Sequence, residues 1–99
     1  MTFADLQLDL PAVCTAHGVK SLEVFGSFAR GDARDDSDLD VLVEFDGQDR
    51  YFDRFMGLKE ALEAAAHRRV DLLTSQSLRN PVFKRVIARE KVPVWKSNA

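Results

Sequence analysis

Two aspartates one residue apart, Asp38 and Asp40, are the side chains of this sequence best placed to do chemistry. The Val- and Leu-rich residues 39–45 predict a β-strand. Side chains two apart on a strand leave the same face, so the two carboxylates point together while Leu39 and Val41 face a core. Carboxylates side by side repel and raise each other's pKa, whereas Mg²⁺ prefers hard oxygen ligands and makes the pair favourable. The spacing therefore predicts a magnesium site.

A third carboxylate lies in the segment RRVDLLT, residues 68–74, which predicts another strand. Asp71 is the only acidic residue of this segment. If the strand lies beside the one that carries Asp38 and Asp40, three carboxylates could hold two metal ions roughly 3.5–4 Å apart. Such a spacing suits phosphoryl or nucleotidyl displacement.

A Gly-Ser pair ahead of the aspartates predicts an anion site. A strand is expected to end at Gly26, and a short helix is expected to follow, so backbone N–H groups and the Ser27 hydroxyl would face an anion. Arg30 lies about one helical turn later and could reach the same anion. Gly31 would let the chain leave this turn with a positive φ.

Each of these parts also has a purely structural interpretation. A Gly-Ser pair alone is a turn, and Asp-x-Asp after a loop is often solvated surface. Asp71 could be a paired charge at a strand edge, and Arg30 could bridge to Asp32 or Asp35. The conjunction of a phosphate turn, paired aspartates and a later aspartate in one short chain favours the functional interpretation.

The elements that must position these residues alternate between helices and strands. The patterns predict a helix over residues 9–17, a strand ending at residue 26, strand 39–45, helix 51–66 and strand 68–74. Asn80 is expected to cap a last helix, with Pro81 at its first position. A short final strand in VPVW would lie at an edge because of Pro93. This order predicts an α/β or α+β fold, a small mixed β-sheet with helices packed on it.

The composition is that of one globular domain spanning residues 1–99. Hydrophobic residues make up 45% of the chain and charged residues 30%, and the net charge of -2 gives no case for nucleic-acid or membrane binding. The single cysteine, Cys14, excludes an internal disulfide framework and fits the cytoplasm. No signal peptide is expected, because the N-terminus has no basic segment followed by an apolar core, and no apolar run is long enough to cross a membrane.

Other polar residues are expected to have structural roles. Asp32, Asp35 and Asp36 are interpreted as solvated loop residues, and Ser37 as a residue that orders the loop before the paired aspartates. The basic segment near the C-terminus predicts a solvated helix face, with a partner contact as the alternative. Its residues are Lys84, Arg85, Arg89 and Lys91.

The segment GSFARGDARDDSDLDVLV resembles the signature of the nucleotidyltransferases of the DNA polymerase β superfamily. The resemblance is strongest to the minimal nucleotidyltransferases, small proteins often encoded beside a HEPN-domain toxin. RRVDLLT resembles the strand that carries the third carboxylate of this family. The resemblance spans nearly the whole chain and implies a polymerase-β palm-like fold. The matching signature residues are Gly26, Ser27, Ala29, Arg30, Gly31, Ser37, Asp38 and Asp40.

This resemblance implies nucleotidyl transfer, in which an acceptor hydroxyl attacks the α-phosphorus of a nucleoside triphosphate and pyrophosphate leaves. Asp38 and Asp40 would hold two Mg²⁺ ions. Asp71 would bind the catalytic ion and help to deprotonate the acceptor. Positioning and electrostatics would supply most of the catalytic effect.

The resemblance also assigns the phosphate contacts and a partner. Ser27 and the Gly26 backbone would hold the terminal phosphates of ATP, and Arg30 would neutralise charge on the triphosphate or buttress the loop. The implied partner is a HEPN toxin, which AMP transfer to a hydroxyl would neutralise. The alternatives are an antitoxin that acts by binding alone and transfer to a small molecule. The base preference, the acceptor residue and homo-oligomer formation stay open.

Overall fold

A computed structural model describes residues 1–98, in which eight α-helices and β-strands alternate along the chain. Short 3₁₀ helices at Phe3–Leu6 and Ser75–Ser77 accompany them. In chain order the elements are α1 (Leu10–Ala16), β1 (Val19–Phe25), α2 (Ser27–Arg30), β2 (Leu39–Phe45), α3 (Tyr51–Ala66), β3 (Val70–Thr74), α4 (Pro81–Glu90) and β4 (Val92–Lys96).

The strands form one mixed sheet in the order β3-β2-β1-β4. Strand β1 is antiparallel to both β2 and β4, whereas β2 and β3 are parallel. The predicted mixed sheet is therefore confirmed. The expected edge position of Pro93 is also confirmed, because β4 is an outer strand and a residue without an N–H group is tolerated there.

Local sequence signals explain where the helices begin. The Asp9 carboxylate caps α1 by accepting a hydrogen bond from the Ala12 N–H group at 3.3 Å. The Asn80 side chain caps α4 by accepting from the N–H groups of Val82 and Phe83, and Pro81 occupies the first helical position as expected. These caps satisfy donors that have no partner within their own helix.

One face of the sheet carries the main core. Leu22, Val24, Leu39, Val41 and Val43 are at most 1% exposed, and α3 covers them with residues such as Leu58 and Leu62. A buried Leu or Val contributes roughly 1.5–3 kcal/mol relative to an exposed one, so this layer stabilises the sheet.

The other face of the sheet carries a smaller apolar cluster beneath α4. Phe25, Leu42 and Ile87 form it, and Leu73 and Leu78 pack against it. Ile87 is the one residue of α4 that is buried. Helix α4 therefore lies on this face while most of its own surface stays exposed.

The two ends of the sheet differ in what surrounds them. We call the site end the edge where β1 ends at Phe25 and where β2 and β3 begin, and the far end the edge where β1 begins at Val19 and β2 ends at Phe45. Strand β3 begins at Val70, two residues later than predicted, because the left-handed His67 that ends α3 and the bend at Arg68 delay the extended backbone. Within residues 1–98, no helix has the length and apolar character needed to cross a membrane.

Candidate active site

Strand register brings two of the three predicted carboxylates side by side at the site end. Asp40 on β2 pairs with Phe25 of β1 on one side and with Asp71 of β3 on the other. Directly paired residues project to the same face of a sheet. Asp40 and Asp71 therefore stand together on the face that α4 covers, next to the turn that follows Phe25.

A cleft of about 520 Å³ opens at this place and collects every residue assigned to the site from the sequence. Asp38 lies two residues before Asp40, on the same face. Helix α4 closes one side of the cleft with Phe83 and Glu90, and β3 adds Leu73. The lining residues are Phe25, Gly26, Ser27, Arg30, Ser37, Asp38, Asp40, Asp71, Leu73, Phe83 and Glu90.

The Gly-Ser turn is shaped by its contact with Asp40. Gly26 has φ 71° and ψ −150°, a conformation that L side chains rarely adopt. A Cβ atom at this position would also overlap the Asp40 Oδ2 atom. Glycine is therefore required both by the backbone and by the carboxylate, which the turn approaches directly.

The predicted short helix after this turn is confirmed as α2. The Gly26 carbonyl accepts hydrogen bonds from the N–H groups of Ala29 and Arg30, at 3.1 and 3.0 Å. The first N–H groups of a helix have no acceptor within that helix. Because Gly26 and Ser27 line the cleft, the amides at the start of α2 can serve an anion there. Gly31 ends α2 with φ 86°, as expected.

Asp40 is the most strongly perturbed carboxylate of the site. The pKa of Asp40 is raised to about 6, mainly by partial burial and then by the charges of Asp71 and Asp38, against a lowering by Arg30. The Glu90 charge adds a small increase in the same direction. The predicted mutual repulsion of the aspartates is thus present, and a bound cation would relieve it.

The carboxylates suit Mg²⁺ chemically but are not arranged as a ready-made metal site. Among residues 1–98, no three Asp, Glu, His or Cys side chains are placed to hold one ion together. The Asp38 Oδ2 atom turns instead toward Arg69, 3.7 Å from its Nε atom. Both side chains are largely exposed and such pairs are weak, so Asp38 can rotate toward the cleft at little cost. The oxygen donor set is the one that Mg²⁺ prefers.

Arg30 lines the cleft, but its guanidinium is already engaged. Its Nη1 atom lies 2.7 Å from Glu90 Oε2 at the end of α4, and its Nε atom lies 3.3 Å from Asp32 Oδ2. The bridge to Asp32 is the structural alternative noted from the sequence. Arg30 thus links α2 to α4 while contributing positive charge beside Asp40.

The loop before β2 is ordered largely as expected. The Ser37 hydroxyl accepts a hydrogen bond from the Arg34 N–H group at 2.8 Å, which confirms its predicted role in ordering the loop. Asp32, Asp35 and Asp36 are exposed, as solvated loop residues are. Cys14 of α1 is fully buried, and burial raises the pKa of its thiol to about 11.

Sequence reasoning missed three residues around the site. Glu90 holds Arg30 across sixty residues of chain, and no local pattern signals that pairing. Phe83 of α4 lines the cleft, where the sequence predicted no role for it. Arg68 was placed inside a strand, although it contacts the loop that leads to Asp38. The available signal was the pair Arg68-Arg69 directly before β3. Because β3 begins beside the start of β2, these arginines lie near the loop that leads into β2.

Comparisons with known proteins agree with this geometry. The family model described as the nucleotidyltransferase domain matches residues 10–94. The chain is 39% identical to the protein adenylyltransferase MntA of Thermococcus cleftensis, covering 87% of this chain and 93% of that protein. A solved structure whose protein bears the provisional name minimal nucleotidyltransferase shares 39% identity, with a TM-score of 0.76 over 95% of this chain and 97% of that one.

A more distant structure shares the fold alone. It comes from a complex of the tri-AMPylated HEPN toxin of Shewanella oneidensis with its MNT antitoxin. The match has 18% identity and a TM-score of 0.62, over 98% of this chain and 74% of the other. The match of the family model over most of the chain, together with these relatives, confirms the resemblance seen in the sequence: this chain belongs to the nucleotidyltransferase domain family and is a minimal nucleotidyltransferase.

Proposed function

We propose that this nucleotidyltransferase moves AMP from ATP to a hydroxyl group of a protein partner, a HEPN-family toxin, and thereby acts as its antitoxin. The single observation that carries the proposal is the strand register that sets Asp40 beside both Asp71 and the Gly26-Ser27 turn in one cleft. Carboxylates and a phosphate-binding turn are the two parts that nucleotidyl transfer requires.

Asp38, Asp40 and Asp71 are the residues that would hold Mg²⁺, as two ions in the arrangement implied by the family. Bound there, the metal would neutralise charge on the triphosphate and on the reacting oxygens. The raised pKa of Asp40 supports this assignment, because clustered carboxylates without a cation disfavour one another's charged forms.

The chain's own groups then bind, orient and move a proton. Ser27 and the amides of the Gly26-Ser27 turn hold the terminal phosphates, so the α-phosphorus lies over the carboxylates. The acceptor hydroxyl gives its proton to the carboxylate of Asp71 as its oxygen bonds to the α-phosphorus. The bond from that phosphorus to the bridging oxygen breaks, and pyrophosphate leaves. Arg30, held by Glu90, buttresses the turn and lends it positive charge.

The exposed surface of α4 supports a protein acceptor. Val82, Phe83 and Val86 are 62%, 43% and 43% exposed, and Phe83 also lines the cleft. We call these three residues the α4 apolar stripe. Exposed apolar surface that continues into a reactive cleft suits a protein whose hydroxyl must reach the carboxylates. Lys84, Arg85 and Arg89 of the same helix are exposed as well, so the partner surface is expected to be acidic around an apolar centre.

Incubation of the purified protein with a HEPN partner, ATP and Mg²⁺ tests the proposal. We expect intact-mass spectrometry to show the partner heavier by one or more AMP units. The Asp40→Asn protein is the matched control and should leave the partner mass unchanged. An unchanged mass with the wild-type protein, with every nucleoside triphosphate and with Mn²⁺ in place of Mg²⁺, would refute the enzymatic function.

A second candidate, neutralisation of the toxin by binding alone, is favoured by the same α4 apolar stripe, because this surface needs no chemistry to cover a partner. Toxin neutralisation by Asp40→Asn separates the two. Neutralisation that survives in the variant supports binding, and neutralisation lost together with transfer supports catalysis. We propose the cytoplasm as the location, where ATP is abundant and where the free Cys14 thiol stays reduced.

A further inference from the structure

A single arginine outside the assigned site ties its parts together. Arg68 precedes β3, and its Nη1 atom donates to the carbonyl oxygens of Arg34, Asp35 and Ser37 at 3.2, 3.3 and 3.1 Å. Its Nε atom donates to the Ala66 carbonyl at 3.3 Å. These acceptors fix the loop that ends one residue before Asp38.

The same guanidinium also reaches the helix that follows the Gly-Ser turn. Its central carbon lies 4.9 Å from the centroid of the Phe28 ring. Phe28 is 2% exposed and directly follows Ser27. A cation over a buried aromatic ring is held on one side by the ring and on the other by its hydrogen bonds. Arg68 thus connects α2, the loop before Asp38, and the start of β3, which carries Asp71.

The contact suits an arginine in particular. The loop offers several carbonyl oxygens in different directions, and the guanidinium presents donors in a fixed planar fork that also stacks on a ring. A lysine would keep the charge but present one compact ammonium group, which cannot serve the loop, Ala66 and the Phe28 ring together.

We propose that Arg68 is a positioning residue: by holding the loop backbone before Asp38, it determines where the Asp38 carboxylate lies relative to the metal site. The proposal rests on the function proposed above and extends it to a residue that need not touch substrate. Asp38 is exposed and turned toward Arg69, so its own packing does not fix it. The backbone before it is therefore what limits where the carboxylate can go, and Arg68 holds that backbone.

The chain contains a matched control for this contact. Arg54 of α3 donates to three loop carbonyls, those of Gly18, Asp46 and Gly47, at 3.2, 2.9 and 3.0 Å. Its central carbon lies 5.2 Å from the Phe45 ring centroid. The contact has the same chemistry, but it lies at the far end of the sheet.

The test compares Arg68→Lys with Arg54→Lys in the full chain. Electron paramagnetic resonance measures Mn²⁺ binding in the presence of a non-hydrolysable ATP analogue. Mass spectrometry measures hydrogen exchange over residues 31–38, and calorimetry measures the melting temperature. We expect Arg68→Lys to weaken Mn²⁺ binding about 10-fold, the loss typical of groups that orient metal ligands, and to speed exchange in the loop. Arg54→Lys should lower the melting temperature and leave both other readouts at wild-type values.

Three results would overturn the proposal: wild-type Mn²⁺ affinity in Arg68→Lys, unchanged exchange over residues 31–38, or an equal loss of Mn²⁺ affinity in Arg54→Lys. If Arg68→Lys does not fold, Arg68→Gln takes its place with the same criteria, since its amide can still donate to one loop carbonyl. Failure of the proposed function is distinguishable, because a wild-type protein that binds Mn²⁺ and the analogue but never modifies a partner still yields both readouts.

Discussion

The two ends of the sheet use the same device for different purposes. At each end an arginine donates to loop carbonyls and stacks on a buried ring, Arg68 at the site end and Arg54 at the far end. The far-end contact joins the start of β1 to the end of β2, where the neighbouring acidic residues Asp46, Asp49 and Asp53 share a pocket with Arg50 and Arg54. The contact itself therefore does not mark a functional site, and the groups that it positions decide its role.

The acidic residues differ more sharply between the two ends. At the far end Glu44 lies 3.7 Å from Lys20, and Asp53 lies 3.4 Å from Arg50. At the site end Asp40 has no ion-pair partner among residues 1–98 and faces other carboxylates, and its pKa is raised to about 6. Acidic residues thus occur at both ends, and the direct pairing of Asp40 with Asp71, together with the raised pKa of Asp40, distinguishes the site end.

The largest expected difference between the ends is in transfer activity. Asp38→Asn and Asp40→Asn should each lower the rate of partner modification by at least about 100-fold, as the loss of one preorganised charge at a reacting centre does. Glu44→Gln is the matched control, because Glu44 lies on the same strand and face as Asp40, four residues toward the far end. Its rate should stay at the wild-type value. A comparable loss in Glu44→Gln would remove the distinction between the ends.

The sequence predicted those elements whose signals are local. The bounds of β2 and α3 agree with the prediction to the residue, because an unbroken Val/Leu run and a helical apolar stripe need no information from elsewhere in the chain. The cap of α4 at Asn80 is equally local. The pairing of β2 with β3 could be predicted only conditionally, because no local signal tells which strands lie side by side.

The contacts that could not be predicted join distant segments. Glu90 reaches Arg30 across sixty residues, and Arg68 reaches carbonyl oxygens, which carry no side-chain signature at all. The orientation of Asp38 likewise depends on a distant side chain, that of Arg69, which lies between α3 and β3. Residue types could therefore identify the carboxylates but not the side chains that hold their surroundings in place.

The second expected difference concerns the α4 apolar stripe and partner binding. Val82→Asp should weaken the complex with the HEPN partner at least about 10-fold, or about 1.4 kcal/mol, because it places a charge in buried apolar contact. Phe52→Asp is the control, since Phe52 is 73% exposed in the first turn of α3 and lies toward the far end. Its affinity should not change. Calorimetric titration of both variants measures this, and equal weakening would place the partner elsewhere.

A smaller effect is expected from the phosphate turn. Ser27→Ala removes one donor but leaves the carboxylates intact, so nucleotide affinity should fall several-fold, consistent with a net hydrogen-bond contribution of about 1 kcal/mol. Transfer at saturating ATP should stay close to the wild-type rate. Equilibrium binding of ATP and single-turnover transfer separate the two quantities. Transfer lost at unchanged ATP affinity would mean that Ser27 acts at the reacting centre rather than on the terminal phosphates.

The smallest expected effect is on stability, and it tests whether the aspartates are crowded for a cation. Without metal, ionised Asp40 is destabilising, because folding raises its pKa to about 6 from an unfolded value near 4. Asp40→Asn removes that charge at nearly constant volume. We expect the metal-free variant to unfold at a higher temperature than wild type at pH 8, by on the order of 1 kcal/mol in free energy of unfolding. Mg²⁺ with ATP should stabilise wild type far more than the variant.

The pH dependence of the stability difference between wild type and Asp40→Asn provides a second test of the sign of that difference. Protonation of Asp40 is favoured by folding, so wild type gains stability from this group as the pH falls through 6 toward 4, and the variant does not. The advantage of Asp40→Asn should therefore shrink over that range. Backbone N–H groups lower the pKa values of Asp5 and Glu63, so the stability that these two groups contribute is lost on acidification. The loss is the same in both proteins and cancels in the difference between them. Thermal unfolding in chelator between pH 4 and 8 measures the difference. An Asp40→Asn protein that is less stable than wild type at pH 8 would show that Asp40 is structural, like the paired carboxylates of the far end.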